Sequence, residues 1–402
     1  MDAAEQTSET EIFRVLTAEA ERMLFDRFGS QFHFTTVERL SEPDRRNLIL
    51  RCLSTPTGNF PSKFIIKKVQ AHVYEPDNPD SWDTQRFFSD WIGSLFLSSL
   101  GGQSSHGPQF YGGNRELGFI ILEDMGHHRS LVEPLLHEDA ARAEEALQRY
   151  STCLGKLHAD TVNKSALFEQ LSQSASAHGR TIATMGAEVE KDIQNVQTLI
   201  EELGVLPGIA FRQELREMGK AVVDPGPFLV YIHGDPCPDN VFDNDPGLRL
   251  IDFEFGYFGH ALIDASYARM LFPTCWCANR LPQSMVEKME SRYRTEFVKG
   301  CPEAKENSTW EHALLTMCGY WLLNTLAWHL EPALKEDRNW GIAGLRQRIL
   351  ARLEAFAITA EEFGGFPAVH ETAGHLRDTL IKRWPEIQPL PLYPAFQGAP
   401  DG

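Results

Sequence analysis

Three short polar motifs between residues 231 and 265 have the residue types and the spacing that metal-dependent chemistry uses. They are His233-Gly234-Asp235, Asn240 and Asp252-Phe253-Glu254. Asp235 follows the apolar run 228–232, and Asp252 follows the apolar run 248–251. Such runs are typical of short buried strands, and polar residues that follow a strand lie in the loop where it ends. The sequence therefore predicts two loops that bring carboxylate and amide groups to one place.

Phosphoryl transfer from a nucleotide is the chemistry that needs this set of groups. The acceptor hydroxyl must be oriented and must lose its proton, which calls for a carboxylate held in a loop, and Asp235 suits that role. Mg²⁺ prefers hard oxygen ligands, of which a protein usually supplies one or two. Asn240 and Asp252 offer two such oxygens. The alternative is that Asp235, Asn240 and Asp252 only cap turns, as Asp and Asn often do.

The joint pattern resembles a known family. His-Gly-Asp, an Asn five positions after that Asp, and Ile-Asp-Phe-Glu are similar to the aminoglycoside phosphotransferase and choline kinase family, whose fold resembles that of protein kinases. The resemblance implies ATP and Mg²⁺ as cofactors, Asp235 as catalytic base, and Asn240 and Asp252 as metal ligands. It also implies that Asp264 braces the catalytic loop, and we predict that Asp264 is the N-cap of a helix that follows it.

The resemblance implies a lysine that binds the α- and β-phosphates, on a strand that we predict at residues 63–69. Two lysines occur there, Lys67 and Lys68, and their side chains point to opposite faces of the strand. The family pattern favours Lys67 as the phosphate ligand. The alternation of side chains alone leaves two alternatives open: Lys68 is the ligand, or both lysines are exposed to solvent. In the family an acid on the next helix pairs with this lysine. Asp90 is the only acid within residues 87–100, and because Asp is shorter than the usual Glu its pairing stays open.

An apolar run at 117–122 ends in Glu123-Asp124-Met125-Gly126. This resembles the family's hinge, where backbone groups hydrogen-bond adenine and the chain leaves the first lobe. The resemblance implies that the backbone of Glu123 and Met125 contacts the nucleotide. A plain strand-to-turn junction is the alternative, since short acidic turns are common.

The predicted fold class is α+β: a protein-kinase-like, two-lobed fold with a small antiparallel-sheet N-terminal lobe and a larger, mainly helical C-terminal lobe. A leading helix at 9–28 has apolar residues near a 3.6-residue period, and strands are predicted at 32–40, 48–54 and 63–69. The proposed bounds are 1–124, 125–385 and a Pro-rich tail at 386–402. Further helices are predicted at 87–100, 138–159, 168–203, 211–223, 285–298, 310–330, 340–363 and 372–384, and directly after Asp264.

Composition limits the partners. The 402 residues have a net charge of −18, with 42% hydrophobic and 23% charged residues, which is ordinary for a soluble globular protein. The negative charge disfavours binding to nucleic acid or to an anionic membrane. Seven scattered cysteines, with only one residue between Cys275 and Cys277, favour buried free thiols in a reducing cytosol over disulfides or a zinc pair. Residues 314–330 are predicted to form a core helix, not a membrane span.

The expected function is ATP-dependent phosphorylation of a small, amine-bearing acceptor of the aminoglycoside, choline or amino-sugar type. No long activation segment ending in Ala-Pro-Glu follows Asp252, which disfavours a protein kinase. A non-catalytic nucleotide-binding scaffold remains an alternative because Asp90 and the glycine-free loop 41–47 depart from the usual pattern. The acceptor and the oligomeric state stay open. Core packing and a solvated charge cluster are the favoured alternatives for a set of acceptor-pocket candidates, namely Trp328, His329, Glu331, Glu336, Asp337 and Trp340.

Overall fold

The computed structural model describes residues 3–55, 58–70, 74–101, 106–127, 129–244 and 247–398, with side chains from residue 10 onward. The chain forms two compact units. Unit 1 consists of Met1–His128, Leu167–Gly179 and Ile251–Phe255, and unit 2 consists of Arg129–Ala166, Arg180–Leu250 and Gly256–Gly402. Two short segments from later in the chain therefore belong to unit 1, and one of them contains Asp252. The last four residues of the predicted tail lie outside the described ranges.

Unit 1 is built on a five-stranded antiparallel sheet with the strand order β1-β2-β3-β5-β4. Its strands are β1 (Phe34–Arg39), β2 (Asn47–Ser54), β3 (Lys63–Val69), β4 (Phe110–Asn114) and β5 (Phe119–Glu123), and its long helices are α1 (Ala3–Phe28) and α2 (Trp82–Ser99). The three predicted strands, the leading helix and the helix that contains Asp90 are confirmed. β4 escaped prediction because Gly112 and Gly113 interrupt its apolar pattern.

The two faces of this sheet pack against different helices. Phe64 and Ile66 of β3 lie in one apolar cluster with Leu16 and Leu24 of α1. Ile65 and Val69 of β3 belong to a second cluster with Phe88 and other residues of α2. Because side chains alternate along a strand, Lys67 lies on the α2 face and Lys68 on the α1 face. This register decides which lysine can reach the acid on α2.

Unit 2 is mainly helical. Its helices are α3 (Val132–Leu136), α4 (Ala140–Thr161), α5 (Ser165–Ser174, which continues into unit 1), α6 (Ile182–Glu202), α7 (Ile209–Val223), α8 (Leu262–Ala265), α9 (Gln283–Phe297), α10 (Asn307–Lys335), α11 (Leu345–Phe363) and α12 (Pro367–Arg383). The predicted α+β class, with a small antiparallel-sheet unit and a larger helical unit, is confirmed.

Two helix predictions need correction. The helix predicted at 168–203 is two helices, because Thr181 forms a capping box with Thr184 that starts α6 afresh. The helix predicted from 340 begins at Leu345, after a short hairpin of β10 (Asn339–Trp340) and β11 (Ala343–Gly344).

Two short hairpin-like pairs in unit 2 carry the polar motifs. β6 (Leu229–Ile232) pairs antiparallel with β9 (Tyr257–His260), and β7 (Val241–Asn244) pairs antiparallel with β8 (Gly247–Leu250). His233-Gly234-Asp235 begins directly where β6 ends, and Asn240 directly precedes β7. The apolar runs seen in the sequence are thus strands, as predicted. β6 is buried from Val230 onward, whereas in β8 only Leu250 is buried and the other residues are half-buried.

The region after Asp264 differs from the prediction. Asp264 lies inside the four-residue helix α8, whose N-cap is Ala261, so the predicted N-cap role is wrong. Residues 266–282 form successive turns and no helix, so the prediction of helices directly after Asp264 is also wrong. The side chains of Asp264, Tyr267 and Thr274 in this region make hydrogen bonds to the loop that contains Asp235, as described below.

The described part of the predicted tail packs within unit 2. Leu390, Tyr393 and Phe396 are buried, and the Tyr393 N–H donates to the carbonyl of Arg280 at 3.0 Å. Among the helices in the described ranges, none has the length and apolar character needed to cross a membrane.

Candidate active site

Lys67 in unit 1 makes two short ion pairs. Its Nζ lies 2.7 Å from Asp90 Oδ2 and 2.5 Å from Asp252 Oδ1. Asp90 is buried, and its other carboxylate oxygen accepts the N–H of Phe253 at 3.0 Å. One carboxylate thus holds both the lysine and the backbone of the Asp252-Phe253-Glu254 motif. The pairing of Asp90 that the sequence left open is present in the structure.

Lys68 has different surroundings. Its Nζ donates to the carbonyl of Val69 at 3.0 Å and to the carbonyl of Leu117 at 2.9 Å. Lys68 therefore contacts backbone carbonyls at the end of β3 and next to β5, whereas Lys67 contacts carboxylates. Burial alone would lower the pKa of Lys67, but the charges of Asp252 and Asp90 outweigh it and raise that pKa above its usual value.

Glu254 forms a second buried ion-pair group that sequence reasoning missed. Its carboxylate accepts Arg46 Nη1 at 2.5 Å and also contacts Arg86 Nη2, while Arg46 Nε pairs with Asp83 at 2.8 Å. Arg46 lies in the glycine-free loop 41–47, and Arg86 lies on α2. Burial raises the pKa of Glu254, and the Asp252 charge adds to the rise. A basic residue pair in that loop, Arg45-Arg46, was the sequence signal for this contact.

Asp252 itself has a left-handed backbone, with φ of 67°. Residues other than Gly rarely adopt this conformation, and Asp is among those that tolerate it best. The turn ends the buried run at Leu250 and directs the Asp252 carboxylate to Lys67 within unit 1.

In unit 2, the Asp235 loop (residues 233–240) is held by Asp264. The Asp264 carboxylate accepts the N–H of His233 at 2.7 Å and the N–H of Gly234 at 3.0 Å. Gly234 has a φ of 76°, which favours glycine at this turn. The same carboxylate lies 3.2 Å from Nε2 of His158 on α4. Asp264 therefore braces the loop as predicted, although it does so from within α8 and not as an N-cap.

Helix α4 adds two further supports to this loop. His158 is fully buried and its Nδ1 lies 2.6 Å from the hydroxyl of Tyr293, so His158 is a packed helix residue. The hydroxyl of Tyr150 donates to the carbonyl of Pro236 at 2.6 Å. A rigid helix thus fixes the backbone on both sides of Asp235.

Three donors surround one oxygen of Asp235. Oδ1 accepts hydrogen bonds from the Thr274 hydroxyl, from the Tyr267 hydroxyl at 3.0 Å and from Cys237 Sγ at 3.2 Å. Burial raises the pKa of Asp235 above the usual value of a carboxyl group, and the Thr274 hydrogen bond is the largest effect in the opposite direction. Sequence reasoning missed all three donors. Tyr267 and Thr274 lie 32 and 39 residues from Asp235 along the chain, and Cys237, only 2 residues away, was interpreted as a buried free thiol.

Asn240 lies beside Asp235. Its Nδ2 donates to the carbonyl of Asp235 at 3.0 Å and lies 3.5 Å from Asp235 Oδ2. The structure therefore brings Asp235 and Asn240 together in unit 2, and Lys67 and Asp252 together in unit 1.

Two buried arginines hold segment 270–277, which supplies Thr274. Arg348 donates to the carbonyls of Cys275 at 2.8 Å and Trp276 at 2.9 Å. Arg352 donates to the carbonyl of Pro273 at 2.8 Å. Because this segment has no regular secondary structure, guanidinium groups satisfy its buried carbonyls.

At the predicted hinge in unit 1, β5 ends at Glu123 and residues 124–126 have no regular secondary structure. The N–H of Glu123 donates to the carbonyl of Gln109 at 2.8 Å, and Asp124 pairs with Arg51 at 2.8 Å.

Among the acceptor candidates in unit 2, the rings of His329 and Trp340 lie 5.3 Å apart, and Trp328 is 56% exposed. Trp340 also packs against the Arg348 guanidinium.

Comparison with known proteins connects these features to a family. Residues 96–284 match the model of the APH family, described as the Phosphotransferase enzyme family. The matched region includes Asp235, Asn240 and Asp252. Residues 96–284 are thus similar to phosphotransferases. The resemblance predicted from the sequence is thereby confirmed for these residues, while Lys67 lies outside the matched region.

Solved structures similar to this chain include several kinases. A choline/ethanolamine kinase family protein from Mesorhizobium loti has a TM-score of 0.45 and 14% identity, covering 88% of this chain and 99% of that one. Choline kinase from Cryptosporidium parvum Iowa II has a TM-score of 0.46 and 12% identity, covering 84% and 93%. A thermostable mutant of an aminoglycoside phosphotransferase has a TM-score of 0.37 and 13% identity, covering 86% and 99%. A comparison with curated proteins gives no match.

Proposed function

We propose that this chain is a phosphotransferase that uses ATP and Mg²⁺ to phosphorylate a hydroxyl group of a small, amine-bearing molecule. The observation that carries the proposal is the bonding of Lys67 to both Asp90 and Asp252, at 2.7 and 2.5 Å. A lysine fixed in this way is a preorganised cation for nucleotide phosphates. The non-catalytic scaffold was an alternative partly because Asp90 replaces the usual Glu of the family. Since Asp90 does form the ion pair with Lys67, that reason no longer applies.

On the nucleotide side, we assign Lys67 to the α- and β-phosphates and the backbone of Glu123 and Met125 to adenine. Since the N–H of Glu123 donates to the carbonyl of Gln109, the Glu123 contact is assigned to its carbonyl oxygen. Arg46, on the loop before β2, is a second cation in this part of unit 1. It pairs with Glu254, and Lys67 pairs with Asp252 two residues earlier in the chain.

For the metal, we assign one oxygen each from Asn240 and Asp252. A carboxylate and an amide oxygen are the hard donors that Mg²⁺ prefers, so the donor set fits the ion. Since Nδ2 of Asn240 faces the carbonyl of Asp235, its Oδ1 is the atom assigned to the metal. Mg²⁺ bound by such oxygens neutralises charge on the phosphate groups.

Asp235 is the proposed base. Three donors engage Oδ1, so the proton of the acceptor hydroxyl is assigned to Oδ2. The Asp264 carboxylate holds the backbone N–H groups of His233 and Gly234, which keeps the Asp235 carboxylate in one orientation. Holding the base and the acceptor in a fixed geometry supplies much of the rate enhancement in a reaction with a loose transition state.

An amine-bearing acceptor is proposed from charge. The net charge of −18 favours a cationic substrate in diffusional encounter. Aminoglycoside-like, choline-like and amino-sugar acceptors all join a hydroxyl to a positive charge. We also propose a cytosolic location, on the ATP requirement and the seven free thiols.

The test is product detection by mass spectrometry after incubation with ATP, Mg²⁺ and a pooled library of amine-bearing and neutral alcohols. The expected result is a product heavier by one phosphoryl group from an amine-bearing member. Asp235→Asn, which keeps the side-chain shape, should lower turnover by about 10²- to 10⁴-fold. Turnover only with neutral alcohols would refute the substrate class, and near-normal turnover in Asp235→Asn would remove Asp235 from the role of base. ATP binding without any turnover would support a scaffold instead.

A further inference from the structure

Three thiols and a carboxylate gather beside Asp235 in unit 2. We call Cys237, Asp239, Cys275 and Cys277 the cysteine cluster. One ligand atom each from Cys237, Asp239 and Cys275 lies within 4.8 Å of the other two. The sulfur atoms of Cys275 and Cys277 are 3.2 Å apart. The single residue between Cys275 and Cys277 is too short a spacing for an ordinary zinc pair, but the fold brings two more ligands from a different loop.

Both loops that form the cluster are held in place. Cys237 and Asp239 lie on the Asp235 loop, which Asp264 and Tyr150 fix. Cys275 and Cys277 lie on the segment whose carbonyls accept from Arg348. A ligand set on two restrained loops is preorganised, which reduces the cost of ordering it around an ion.

The charge balance around the cluster favours anionic ligands. Arg348 and Arg352 are fully buried, and each donates to backbone carbonyls. Within the described ranges neither forms an ion pair with a carboxylate. Their positive charge lies next to Cys275, whose carbonyl accepts from Arg348, and it offsets the negative charge that thiolate ligands bring to a metal site.

We propose that the cysteine cluster binds a thiophilic divalent cation of the Zn²⁺ type and that its occupancy inhibits the kinase. The ligands are two or three thiolates with the Asp239 carboxylate, and the thiol protons are released to solvent. Zn–S bonds of about 2.3 Å in a tetrahedron place sulfur atoms about 3.8 Å apart, so Cys275 and Cys277 need to separate by only about 0.6 Å. Trp276 lies on the solvent side of the site, since it is 38% exposed. Its Nε1 donates a hydrogen bond to Asp239 Oδ2 at 2.8 Å.

Inhibition follows from a shared thiol. Cys237 Sγ donates to Asp235 Oδ1 at 3.2 Å, and binding a metal removes that donor and puts a cation near the proposed base. A cation there also attracts the Asp235 carboxylate, which turns it away from the orientation in which Thr274 and Tyr267 hold it. This half of the inference rests on the proposed role of Asp235, whereas metal binding does not.

Binding is tested with Cd²⁺ as a spectroscopic probe on the full chain, in excess Mg²⁺ and a non-thiol reductant that prevents disulfide formation. The expected result is a cadmium–thiolate charge-transfer band that saturates at one equivalent. Cys275→Ser and Cys277→Ser should each weaken binding by at least about tenfold, the loss expected for removing one ligand-shell contact. Cys153→Ser is the matched control, because Cys153 is a buried thiol outside the cluster that donates to the carbonyl of Leu248.

A wild-type protein without the stoichiometric band, or serine variants that bind as tightly as Cys153→Ser, would overturn the site. Circular dichroism verifies that each variant is folded. For inhibition, Zn²⁺ held by a metal buffer should reduce turnover of the wild type and of Cys153→Ser but not of Cys275→Ser. Stoichiometric binding without loss of turnover would overturn inhibition alone. Failure of the proposed kinase function would instead appear as no turnover before Zn²⁺ is added.

Discussion

Replacing Thr274 by Val tests whether Asp235 is the base and whether its hydroxyl neighbours tune it. Thr274 donates to Asp235 Oδ1 and is the largest of the effects that oppose the burial-induced rise in the pKa of Asp235. Tyr267 and Cys237 remain as donors in the variant. Loss of one hydrogen bond to a charged group costs about 1.5 kcal/mol, which corresponds to about one pKa unit. Val preserves the volume of Thr and removes only the donor.

The sign of the effect follows from the role of Asp235. A base works only when deprotonated, so activity is present above the pKa of Asp235 and is lost as the pH falls through it. Removing the Thr274 donor raises this pKa further, and the acidic limb of the kcat/KM profile should move up by about one unit. At a pH on that limb the variant should be about tenfold slower, and it should approach the wild type at higher pH. Thr274→Ser keeps the hydroxyl and should leave the limb in place.

The measurement is kcat/KM against pH for the wild type, Thr274→Val and Thr274→Ser with the acceptor found by the product screen. An acidic limb that stays in place or moves down in Thr274→Val would refute the reasoning. A loss of activity that is equal at every pH would also count against it, because such a loss indicates a change in geometry and not in the pKa of the base.

Two further predictions concern the supports of the site. Lys67→Ala should lower kcat/KM for ATP by about 10- to 150-fold, the range for losing a hydrogen bond to a charged group, whereas Lys68→Ala, which loses contacts to two carbonyls, should stay within about threefold. Steady-state kinetics with varied ATP measures both, and equal losses would contradict the assignment of Lys67. Asp264→Asn should lower the free energy of unfolding by about 2 to 4 kcal/mol, because its amide group can no longer accept from both His233 and Gly234. Urea unfolding measures this, and a change below about 0.5 kcal/mol would show that Asp264 does not brace the loop.

The sequence by itself determined the elements whose signal is local. The apolar runs at 228–232 and 248–251 are short and lie next to turn residues, which is typical of strands, so the strands that precede Asp235 and Asp252 could be predicted. The joint spacing of Asp235, Asn240 and Asp252 was specific enough to indicate the resemblance to a family whose model matches residues 96–284. Helix α4 was predicted nearly to its ends for the same reason, since its amphipathic pattern is strong.

Only the tertiary structure decided contacts between residues distant in the chain. The choice between Lys67 and Lys68 depended on which face of β3 meets α2, and Asp90 became a partner only because α2 packs on that face. Tyr267 and Thr274 reach one oxygen of Asp235 from a segment of turns that has no periodic pattern. Periodicity records which side of an element is buried, whereas the partner on that side is fixed by packing, and packing is a property of the whole fold.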